Sequence, residues 1–370
     1  MRRLLESQQH HFVLAADTQV RNGSGIKEWE VTDPTRFVRT PCYYFSGRYL
    51  VQGRLMRLAI RRDIQAIVFS GDAHFLTTWI SALLARLSGK RVLFWTHGWI
   101  RQEHGPKRWI RCAFYHLAHG LLLYGHRARS IGIKEGFRSE DLYVVYNSLD
   151  YEHQKALRAQ ITPERLGYVR RELFEEPHRP LIICTSRLHK ARRLDLLLEA
   201  IYVLRDQQHE VNLLLVGDGP ERPTLERLAS RYELPARFYG ACYDEETLAE
   251  LIMTANVTVA PGKVGLTAMH SLAYGTPVIT HDNPDQQMPE WEAITPGLNG
   301  AFFKQGDVAD LARVIYEWTK SVLPDEQIRG QCCSVIDRYY HPEFQCAVIE
   351  QAVLGEPAKE SFCAREEEQG

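Results

Sequence analysis

The sequence predicts an α/β protein built from two doubly wound domains, and three observations support this prediction. The chain has 370 residues, whereas a single hydrophobic core stops growing at about 250 to 300 residues. In both halves, short and wholly apolar runs rich in β-branched residues alternate with longer helical stretches, which is typical of parallel sheets covered on both faces. A charged stretch that contains prolines separates the two halves.

Composition narrows the function classes. Hydrophobic residues make up 45% of the chain and charged residues 25%, as in an ordinary globular protein. The net charge of -1 argues against attraction of the whole protein to nucleic acid. The eight cysteines lack C-x-x-C spacing, which disfavours a zinc ribbon or a disulfide framework and favours a reducing cytoplasm. No run approaches the ~20 apolar residues of a spanning helix, and the first residues are too polar for a signal peptide.

Residues 1–155 are predicted to form the first domain. Its predicted strands are the apolar runs Phe12–Ala15, Ala66–Phe69, Val92–Trp95, Leu121–Tyr124 and Leu142–Tyr146. Residues 156–180 are predicted to be a linker with one helix, Thr162–Leu173, because this segment is charged and carries several prolines.

Residues 181–340 are predicted to form the second domain, in which the alternation restarts. The predicted strands are Leu181–Cys184, Asn212–Val216, Arg237–Tyr239, Val257–Val259 and Pro277–Thr280. The predicted helices are Leu194–Asp206, Glu221–Tyr232, Asp244–Thr254 and Leu266–Tyr274. Because open α/β sheets bind ligands beyond the carboxyl ends of their strands, we expect a site where two such sheets face each other.

The most informative stretch of the second domain combines a strand end, a glycine-rich turn and the start of a helix. Four backbone amides are predicted to point outward there, those of Val264, Gly265, Leu266 and Thr267. Unpaired N–H groups and the helix dipole favour phosphate at such a position. The alternative is a purely structural helix cap.

A cluster of cations follows the first strand of the second domain. Its members are Arg187, Lys190, Arg192 and Arg193. Such a cluster repels itself unless an anion relieves it, and the planar guanidinium group suits phosphate. The first turn of a helix also normally favours acidic side chains. The sequence therefore predicts an anion site here, with a solvated loop as the alternative.

Several motifs, in the same order along the chain, resemble those of the retaining GT-B glycosyltransferases of family 4, the glycosyl transferases group 1. The similar segments are Ser186–Leu188, Leu194–Ala200, Leu215–Pro220, Phe238–Gly240, Gly265–Thr267 and Ser271–Ile279. The resemblance covers residues 181–350 well and the first half loosely. It implies two Rossmann-like domains that face each other across a cleft.

The same resemblance bears on the end of the chain. It implies that a C-terminal helix within residues 341–356 crosses back and braces the first domain. The alternative is a plain terminal helix. Residues 357–370 are acidic and are predicted to be disordered.

By resemblance, the predicted anion site binds the diphosphate of a nucleotide-sugar donor. Arg187 and Arg192 would hold the diphosphate and act in catalysis, with Lys190 as a less direct partner. The turn Gly265–Thr267 would bind the distal phosphate through its amides.

The sequence departs from the family pattern at two positions of this site. The family has a glutamate at each end of the turn and helix, whereas this chain has Gly262 and His270. His270 is expected to hydrogen-bond a ribose hydroxyl through a ring nitrogen. Lys263 is expected to reach a donor phosphate or an acidic sugar, with an ordinary solvated lysine as the alternative.

In the first domain, three residues are expected on the acceptor side. His97 follows a predicted strand and matches the family's histidine that contacts the transferred sugar or the acceptor, with a structural histidine as the alternative. Trp99 and His126 are expected to line the same side. After the last predicted strand, the polar residues of 282–292 are expected to contact acceptor hydroxyls.

A basic and aromatic stretch lies between His97 and His126. Its cations are Arg101, Lys107, Arg108 and Arg111, and they alternate with aromatic and aliphatic side chains. Such a face can rest on anionic lipid headgroups. The alternative is an ordinary helix with a solvated charged side.

Together these expectations describe a metal-independent, retaining glycosyltransferase of the cytoplasm. Cationic side chains and amides can replace Mg²⁺ in neutralising a leaving diphosphate. The expected donor is UDP- or GDP-linked, with no other cofactor and no nucleic-acid partner. The expected acceptor is a glycan or a lipid-linked glycan in cell-surface polysaccharide or lipopolysaccharide biosynthesis, with peripheral contact to the cytoplasmic face of the membrane as an option. The predicted linker is the expected hinge for domain closure.

Two other functions stay open at this stage. One is a non-catalytic nucleotide-sugar-binding partner in a glycosyltransferase complex, which would have kept the fold and lost the two glutamates. The other is a sugar-nucleotide epimerase, which would need a pair of carboxylates at the donor sugar.

Overall fold

The computed structural model describes residues 2–7, 9–18, 33–320 and 326–359. The chain divides into two compact units. The first unit comprises the described residues up to Tyr146 together with those from Pro342 onward, and the second comprises those from Asn147 to His341.

The first unit contains eight strands and five helices among the described residues before Tyr146. In chain order they are α1 (Arg2–Leu5), β1 (Leu14–Ala16), β2 (Phe37–Arg39), β3 (Cys42–Phe45), β4 (Tyr49–Gln52), α2 (Leu55–Ala59), β5 (Ala66–Ser70), α3 (Leu76–Leu87), β6 (Arg91–Thr96), α4 (Pro106–Tyr115), β7 (Gly120–Leu123), α5 (His126–Lys134) and β8 (Leu142–Val144).

The main sheet of the first unit is parallel, with strand order β5-β6-β7-β8. Its central strands are almost wholly buried, and Phe94 of β6 stacks on Phe114 of α4 with ring centroids 4.5 Å apart. In the described part of the chain β1 pairs with β2 alone, so the first predicted strand does not join this sheet. The antiparallel hairpin β3–β4 was not predicted from the sequence; its aromatic side chains Tyr43, Tyr44 and Phe45 are exposed.

The second unit contains six strands and eight α-helices in its described part. In chain order they are α6 (Tyr151–Gln160), α7 (Pro163–Leu173), β9 (Leu181–Thr185), α8 (Leu194–Asp206), β10 (Asn212–Val216), α9 (Arg222–Arg231), β11 (Ala236–Gly240), α10 (Glu245–Met253), β12 (Val257–Ala260), α11 (Leu266–Ala273), β13 (Val278–His281), β14 (Gly300–Phe303), α12 (Val308–Trp318) and α13 (Glu326–Tyr339).

All six strands of the second unit form one parallel sheet, in the order β11-β10-β9-β12-β13-β14. The core on one side of the sheet joins α8 and α12 to the inward side chains of the strands. All six strands point the same way, so their carboxyl ends lie at one edge of the sheet. The helices and strands predicted for residues 181–281 are confirmed to within one residue at most ends.

The segment predicted as a linker, residues 156–180, belongs instead to the second unit. Its helices α6 and α7 bury Leu157, Leu166, Val169 and Leu173 in a core shared with β9, β10 and α10. Charge and prolines suggested a linker, but the proline at the start of α7 occupies the first helical position, where it is well tolerated. The chain passes from one unit to the other at Tyr146–Asn147 rather than after residue 155. The predicted hinge is therefore a pair of packed helices.

The last described helix, α14 (Pro342–Leu354), packs on the first unit. Gln345 Nε2 donates to the main-chain oxygen of Tyr146 at 3.0 Å, and Ser7 Oγ donates to Glu350 Oε1 at 2.6 Å. Of the predicted disordered tail, residues 360–370 lie outside the described residues. Among the helices that are described, none combines the length and the apolar character needed to cross a bilayer.

Candidate functional site

The carboxyl ends of β9 and β12 lie side by side, because these strands are neighbours in the parallel sheet. We call residues 186–193, which follow β9, the cation loop. We call residues 262–267, which follow β12 and enter α11, the glycine turn. Ligands of open α/β sheets bind at this edge. These two segments contain most of the residues that the sequence singled out.

The cation loop rests directly on the turn that follows β10. Gly217 has a φ of +140°, and a Cβ there would lie 1.9 Å from the carbonyl oxygen of Ser186. A Cβ on Gly219 would lie 2.5 Å from the carbonyl oxygen of Leu188. The Leu188 N–H donates to the main-chain oxygen of Asp218 at 3.0 Å. Only residues without a side chain permit this approach, so the two glycines fix the position of the loop.

The four cations of the cation loop differ in their partners. Arg192 Nη1 donates to a main-chain oxygen of the glycine turn at 2.5 Å, and Arg193 forms an ion pair with Asp195 at 3.1 Å. Arg187 and Lys190 are exposed, and neither has a side-chain partner in the described part of the chain. Exposed cations without a neighbouring carboxylate are available to an anion. Arg192, predicted to hold the diphosphate, has at least one of its donors engaged in joining the two segments.

Gly262 lies against the backbone of the cation loop. A Cβ at this position would be 2.5 Å from the carbonyl oxygen of Ala191 and 2.8 Å from the Cα of Arg192. Main-chain atoms therefore occupy the space that a glutamate side chain would need. This chain has a glycine at the family's first glutamate position, and that glycine allows the glycine turn to contact the cation loop closely.

One of the four predicted phosphate-binding amides is not available. Val264 is fully buried, and its N–H donates to Gln287 Oε1 at 2.8 Å. Gln287 is itself buried, and its Nε2 donates to Thr280 Oγ1 and to the main-chain oxygen of His281, at 2.9 and 3.0 Å. The prediction for Val264 is wrong, because a side chain from beyond β13 already accepts from its amide.

The other three amides, those of Gly265, Leu266 and Thr267, donate to no residue that the structure describes. Gly265 is the N-cap of α11, and no side chain caps the helix. Thr267 Oγ1 donates to the main-chain oxygen of Thr185 at 2.7 Å, which ties the first turn of α11 to the end of β9. Leu266 and Lys263 are exposed, so the turn is accessible. Unpaired amides at the positive end of a helix dipole form an anion site.

His270 lies one turn further along α11 and faces a carboxylate from α10. His270 Nδ1 is 3.5 Å from Glu245 Oε1 and 3.3 Å from Gln154 Nε2. Glu245 also accepts from Tyr274 Oη at 2.6 Å and from Gln154 at 2.8 Å. Burial acts to raise the pKa of Glu245, but the hydrogen bonds from His270, Tyr274 and Gln154 outweigh it and hold the pKa at about 2. Another helix thus supplies a carboxylate beside the family's second glutamate position.

A second carboxylate reaches the glycine turn from the segment after β13, whose polar residues were expected to contact acceptor hydroxyls. Glu290 lies in the 3-10 helix Pro289–Ala293 and is 4% exposed. Its Oε1 accepts from Asn147 Nδ2 at 2.9 Å, whereas its buried Oε2 has no hydrogen-bond partner among the described residues. A Cβ on Gly265 would lie 4.0 Å from that oxygen. The sequence pointed to this edge of the sheet but not to the glycine turn as the neighbour of Glu290.

In the first unit, His97 directly follows β6 and is exposed. Its ring lies beside that of Tyr124, with centroids 4.7 Å apart. The next residue, Gly98, has a φ of +62°, and a Cβ there would lie 2.8 Å from Leu123 Cδ2. The chain therefore turns sharply against β7 immediately after His97. A contact of His97 with a sugar or an acceptor stays a prediction.

Trp99 is part of the core of the first unit. It is 1% exposed, and its ring centroid lies 4.9 Å from that of Tyr115 and 5.2 Å from that of Phe137. The prediction that Trp99 lines the acceptor side is wrong. The sharp turn at Gly98 directs the following side chain into the hydrophobic core instead.

His126 is the first residue of α5, and its Nε2 lies 2.6 Å from Tyr146 Oη. Burial, and then the nearby charge of Arg129, lower its pKa to about 4. The imidazole is therefore neutral at pH 7, where it can still form a hydrogen bond with Tyr146. Its predicted acceptor contact is not tested by this geometry.

The basic and aromatic stretch forms α4 and the loop before it. Arg108 and Arg111 each form an ion pair with a glutamate, at 2.5 and 2.7 Å. Trp109 is 70% exposed and Ile110 is 55% exposed, with Lys107 exposed beside them. Arg108 and Arg111, two of the cations predicted to bind lipid headgroups, are thus neutralised by glutamates, whereas the apolar side chains of Trp109 and Ile110 are exposed to solvent.

Several proteins of known sequence are similar to this chain, two of which are compared with it here. The chain is 35% identical over 112 residues to the GDP-mannose-dependent alpha-(1-6)-phosphatidylinositol dimannoside mannosyltransferase of Mycobacterium tuberculosis. The aligned segment covers 30% of this chain and 29% of that protein. Over 284 residues it is 25% identical to the glycosyltransferase EpsD of Bacillus subtilis, which covers 70% of each. The chain therefore matches less than a third of the length of the mannosyltransferase.

Among solved structures, Alr3699/HepE of Anabaena in complex with UDP superposes with a TM-score of 0.65 at 17% identity, over 80% of each chain. The α/β fold predicted from the sequence is thereby confirmed. Residues 179–321 match the family model described as Glycosyl transferases group 1. The chain thus has the GT-B fold, and the greater part of its second unit is similar in sequence to the glycosyl transferases group 1.

Proposed function

We propose that this protein is a glycosyltransferase that takes a sugar from a nucleotide-sugar donor. One observation carries the proposal. The unpaired amides of Gly265, Leu266 and Thr267 lie in a turn that is hydrogen-bonded to the loop bearing the available cations Arg187 and Lys190. Amides and cations in this arrangement match the charge of a diphosphate. The similarity of residues 179–321 to the glycosyl transferases group 1 supports the same conclusion.

In this proposal each part of the site has a separate task. The three amides bind the distal phosphate, and Arg187 and Lys190 neutralise the diphosphate, while Arg192 mainly holds the loop against the turn. Negative charge grows on the leaving nucleoside diphosphate as the glycosidic bond breaks. Preorganised amides and cations therefore stabilise the transition state more than the bound donor. No metal ion is required for this stabilisation.

Retention of the anomeric configuration is the stereochemical outcome that we propose. The acceptor hydroxyl would attack the sugar on the same face from which the leaving group departs. The leaving phosphate oxygen would take the acceptor's proton. His97 would contact the transferred sugar or the acceptor, and His270 the ribose. The resemblance of the motifs to retaining enzymes supports this part, together with the exposure of His97 at the end of β6.

For the acceptor we propose a glycolipid or a polysaccharide on its way to the cell surface. The similar proteins include a phosphatidylinositol dimannoside mannosyltransferase, and their names supply GDP-mannose as one donor class. The similar fold of Alr3699/HepE was solved with UDP, which makes UDP-sugars the second class to test. The exposed Trp109 and Ile110, beside Lys107, suit contact with a lipid surface.

A second candidate is a protein that binds a nucleotide sugar without transferring it. The contact of Gly262 with the cation loop favours it, because this site lacks the side chain that the family has next to the donor sugar. The two candidates differ in turnover, not in donor binding.

The decisive experiment is a thermal-shift and hydrolysis screen of UDP-, GDP- and ADP-sugars, with EDTA and with Mg²⁺. One nucleotide sugar should stabilise the protein in EDTA and be cleaved slowly. Arg187→Ala should weaken its binding by about tenfold, the loss expected for one charge-assisted contact. Arg193→Ala is the matched control, since Arg193 lies in the same loop but pairs with Asp195.

The possible results separate the candidates. Stabilisation by no nucleotide sugar under either condition would contradict both. Stabilisation without cleavage, and without transfer to any lipid or glycan acceptor, would favour the binding protein. A strict requirement for Mg²⁺ would contradict metal independence alone.

A further inference from the structure

We propose that Glu290 binds a hydroxyl group of the transferred sugar and thereby contributes to the choice of donor. The inference rests on the proposed function, because it concerns the sugar end of the same site. Its starting point is a carboxylate that is 4% exposed and that leaves one oxygen, Oε2, without a hydrogen-bond partner in the described structure.

The side chain of Glu290 is held in place from several directions. Asn147 Nδ2 donates to its Oε1 at 2.9 Å. Met288 packs against the glycine turn, where a Cβ on Gly265 would meet its Cγ at 3.7 Å. Gln287 fixes the segment to the turn through the amide of Val264. The free oxygen is therefore not a flexible surface group, and burying it without a donor is unfavourable until a ligand supplies one.

Chemistry restricts what that ligand group can be. A carboxylate oxygen accepts hydrogen bonds, and the oxygens of a fully ionised phosphate do so as well, so the free oxygen of Glu290 cannot hydrogen-bond to the diphosphate. The partner must be a donor, and a nucleotide sugar offers hydroxyl groups. Gly265 lies in the turn whose amides are proposed to bind the distal phosphate, which is the phosphate that bears the sugar. The hydroxyl next to Glu290 is therefore one of the sugar ring.

The other carboxylate near the turn is not an equivalent candidate. Glu245 already accepts from Tyr274 and Gln154 and faces His270. It is the first residue of α10 and lies beside His270, the position that the resemblance assigns to the ribose. Gly262 has no room for a side chain at all. Of these three positions, only Glu290 offers an unpaired carboxylate oxygen to the sugar.

The test compares two ligands on one variant. Glu290→Gln keeps the shape of the side chain and removes its charge. Calorimetric titration should show about tenfold weaker binding of the nucleotide sugar found in the screen, because a charged hydrogen bond becomes a neutral one. Binding of the matching nucleoside diphosphate should change less than about twofold, since it lacks the sugar. The ratio of affinities among sugar epimers on the same nucleotide should also change.

Two further variants serve as checks. Glu292→Gln removes another buried carboxylate of the same 3-10 helix, which is 8% exposed, and should leave the ratio of the two affinities unchanged. Glu290→Asp keeps the charge and withdraws the oxygen from the turn, so it should also weaken the nucleotide sugar selectively. This second variant covers the case in which Glu290→Gln does not fold.

The outcomes are distinct for the two claims. Equal affinity of wild type and both Glu290 variants for the nucleotide sugar would overturn the inference and leave the proposed function intact. An equal loss for the nucleotide sugar and the nucleoside diphosphate would overturn it too, because Glu290 would then only support the turn. Failure of the wild type to bind either ligand would overturn the proposed function and the inference with it.

Discussion

The strand ends of the two units are built in different ways. In the second unit, the main chain of the cation loop packs directly against the main chain of neighbouring turns. At Gly217, Gly219 and Gly262 a Cβ would lie within 2.5 Å of a carbonyl oxygen of that loop. In the first unit, the end of β6 is filled by side chains. Thr96 Oγ1 lies 3.0 Å from Tyr115 Oη there, and Trp99 is in the core.

This difference indicates where polar groups remain unpaired within the protein and are therefore available to a ligand. Where backbone segments contact each other without side chains, amides and long cations remain available to a ligand, as at the glycine turn. Where side chains fill the same edge, polar groups can pair inside the unit, as Thr96 does with Tyr115 and His126 with Tyr146. The second unit is therefore the one whose edge is suited to an anion, and the first contributes fewer candidate contacts.

The largest effect is expected from the core position of the first unit. Trp99→Ala should lower the free energy of unfolding by about 3 to 5 kcal/mol, because it removes a fully buried ring. Trp109→Ala is the matched control, since Trp109 is 70% exposed, and it should cost less than about 0.5 kcal/mol. Urea denaturation followed by circular dichroism measures both. If Trp99→Ala were as stable as wild type but slow with acceptor, the comparison of the two units would be wrong.

A somewhat smaller effect is expected at the backbone contact of the second unit. Gly262→Ala should cost about 2 to 3 kcal/mol of unfolding free energy and remove donor-induced stabilisation, because its Cβ would press on Ala191 and Arg192. Gly330→Ala in α13 is the control, since nothing lies within 4 Å of its Cβ position. Gly262→Glu restores the family's residue and should still be destabilised. A stable, faster Gly262→Glu would contradict the close contact.

Much of the edge that carries the cation loop and the glycine turn could be predicted, because its parts are local in sequence. The apolar runs of β9, β10 and β12 identify the strands, and the cation loop and glycine turn follow them directly. Glu290, Gln287 and Glu245 could not be assigned in this way. Gln287 and Glu290 reach the glycine turn, and Glu245 reaches His270, from other elements of the fold. Their sequence neighbours show no pattern that predicts these contacts.

The misassignments in the other regions have equally physical causes. An aromatic residue after a strand does not reveal which way the chain turns, so the sequence alone does not distinguish a core position for Trp99 from one on the acceptor side. The helices α6 and α7 are rich in charged residues, which favoured the prediction of a linker. Their few buried residues, such as Leu157 and Leu166, give too weak an apolar pattern to indicate packed helices. The hairpin β3–β4 exposes its aromatic side chains, so it lacks the buried alternation that predicts a strand.

The effect that is smallest at neutral pH concerns His126, because it appears only in acid. Its pKa is about 4 in the folded protein, against an ordinary value of 6.5. Between these two values the unfolded chain binds the proton more tightly, so stability is fully present above pH 6.5 and falls as the pH drops towards 4. The loss should reach about 3 kcal/mol at pH 4. His126→Gln keeps a hydrogen-bonding group for Tyr146 but does not titrate, so its melting temperature should fall less between pH 7 and pH 4. Parallel pH profiles for the two proteins would mean that this edge of the first unit is open to water, and the contrast with the glycine turn would then rest on Trp99 alone.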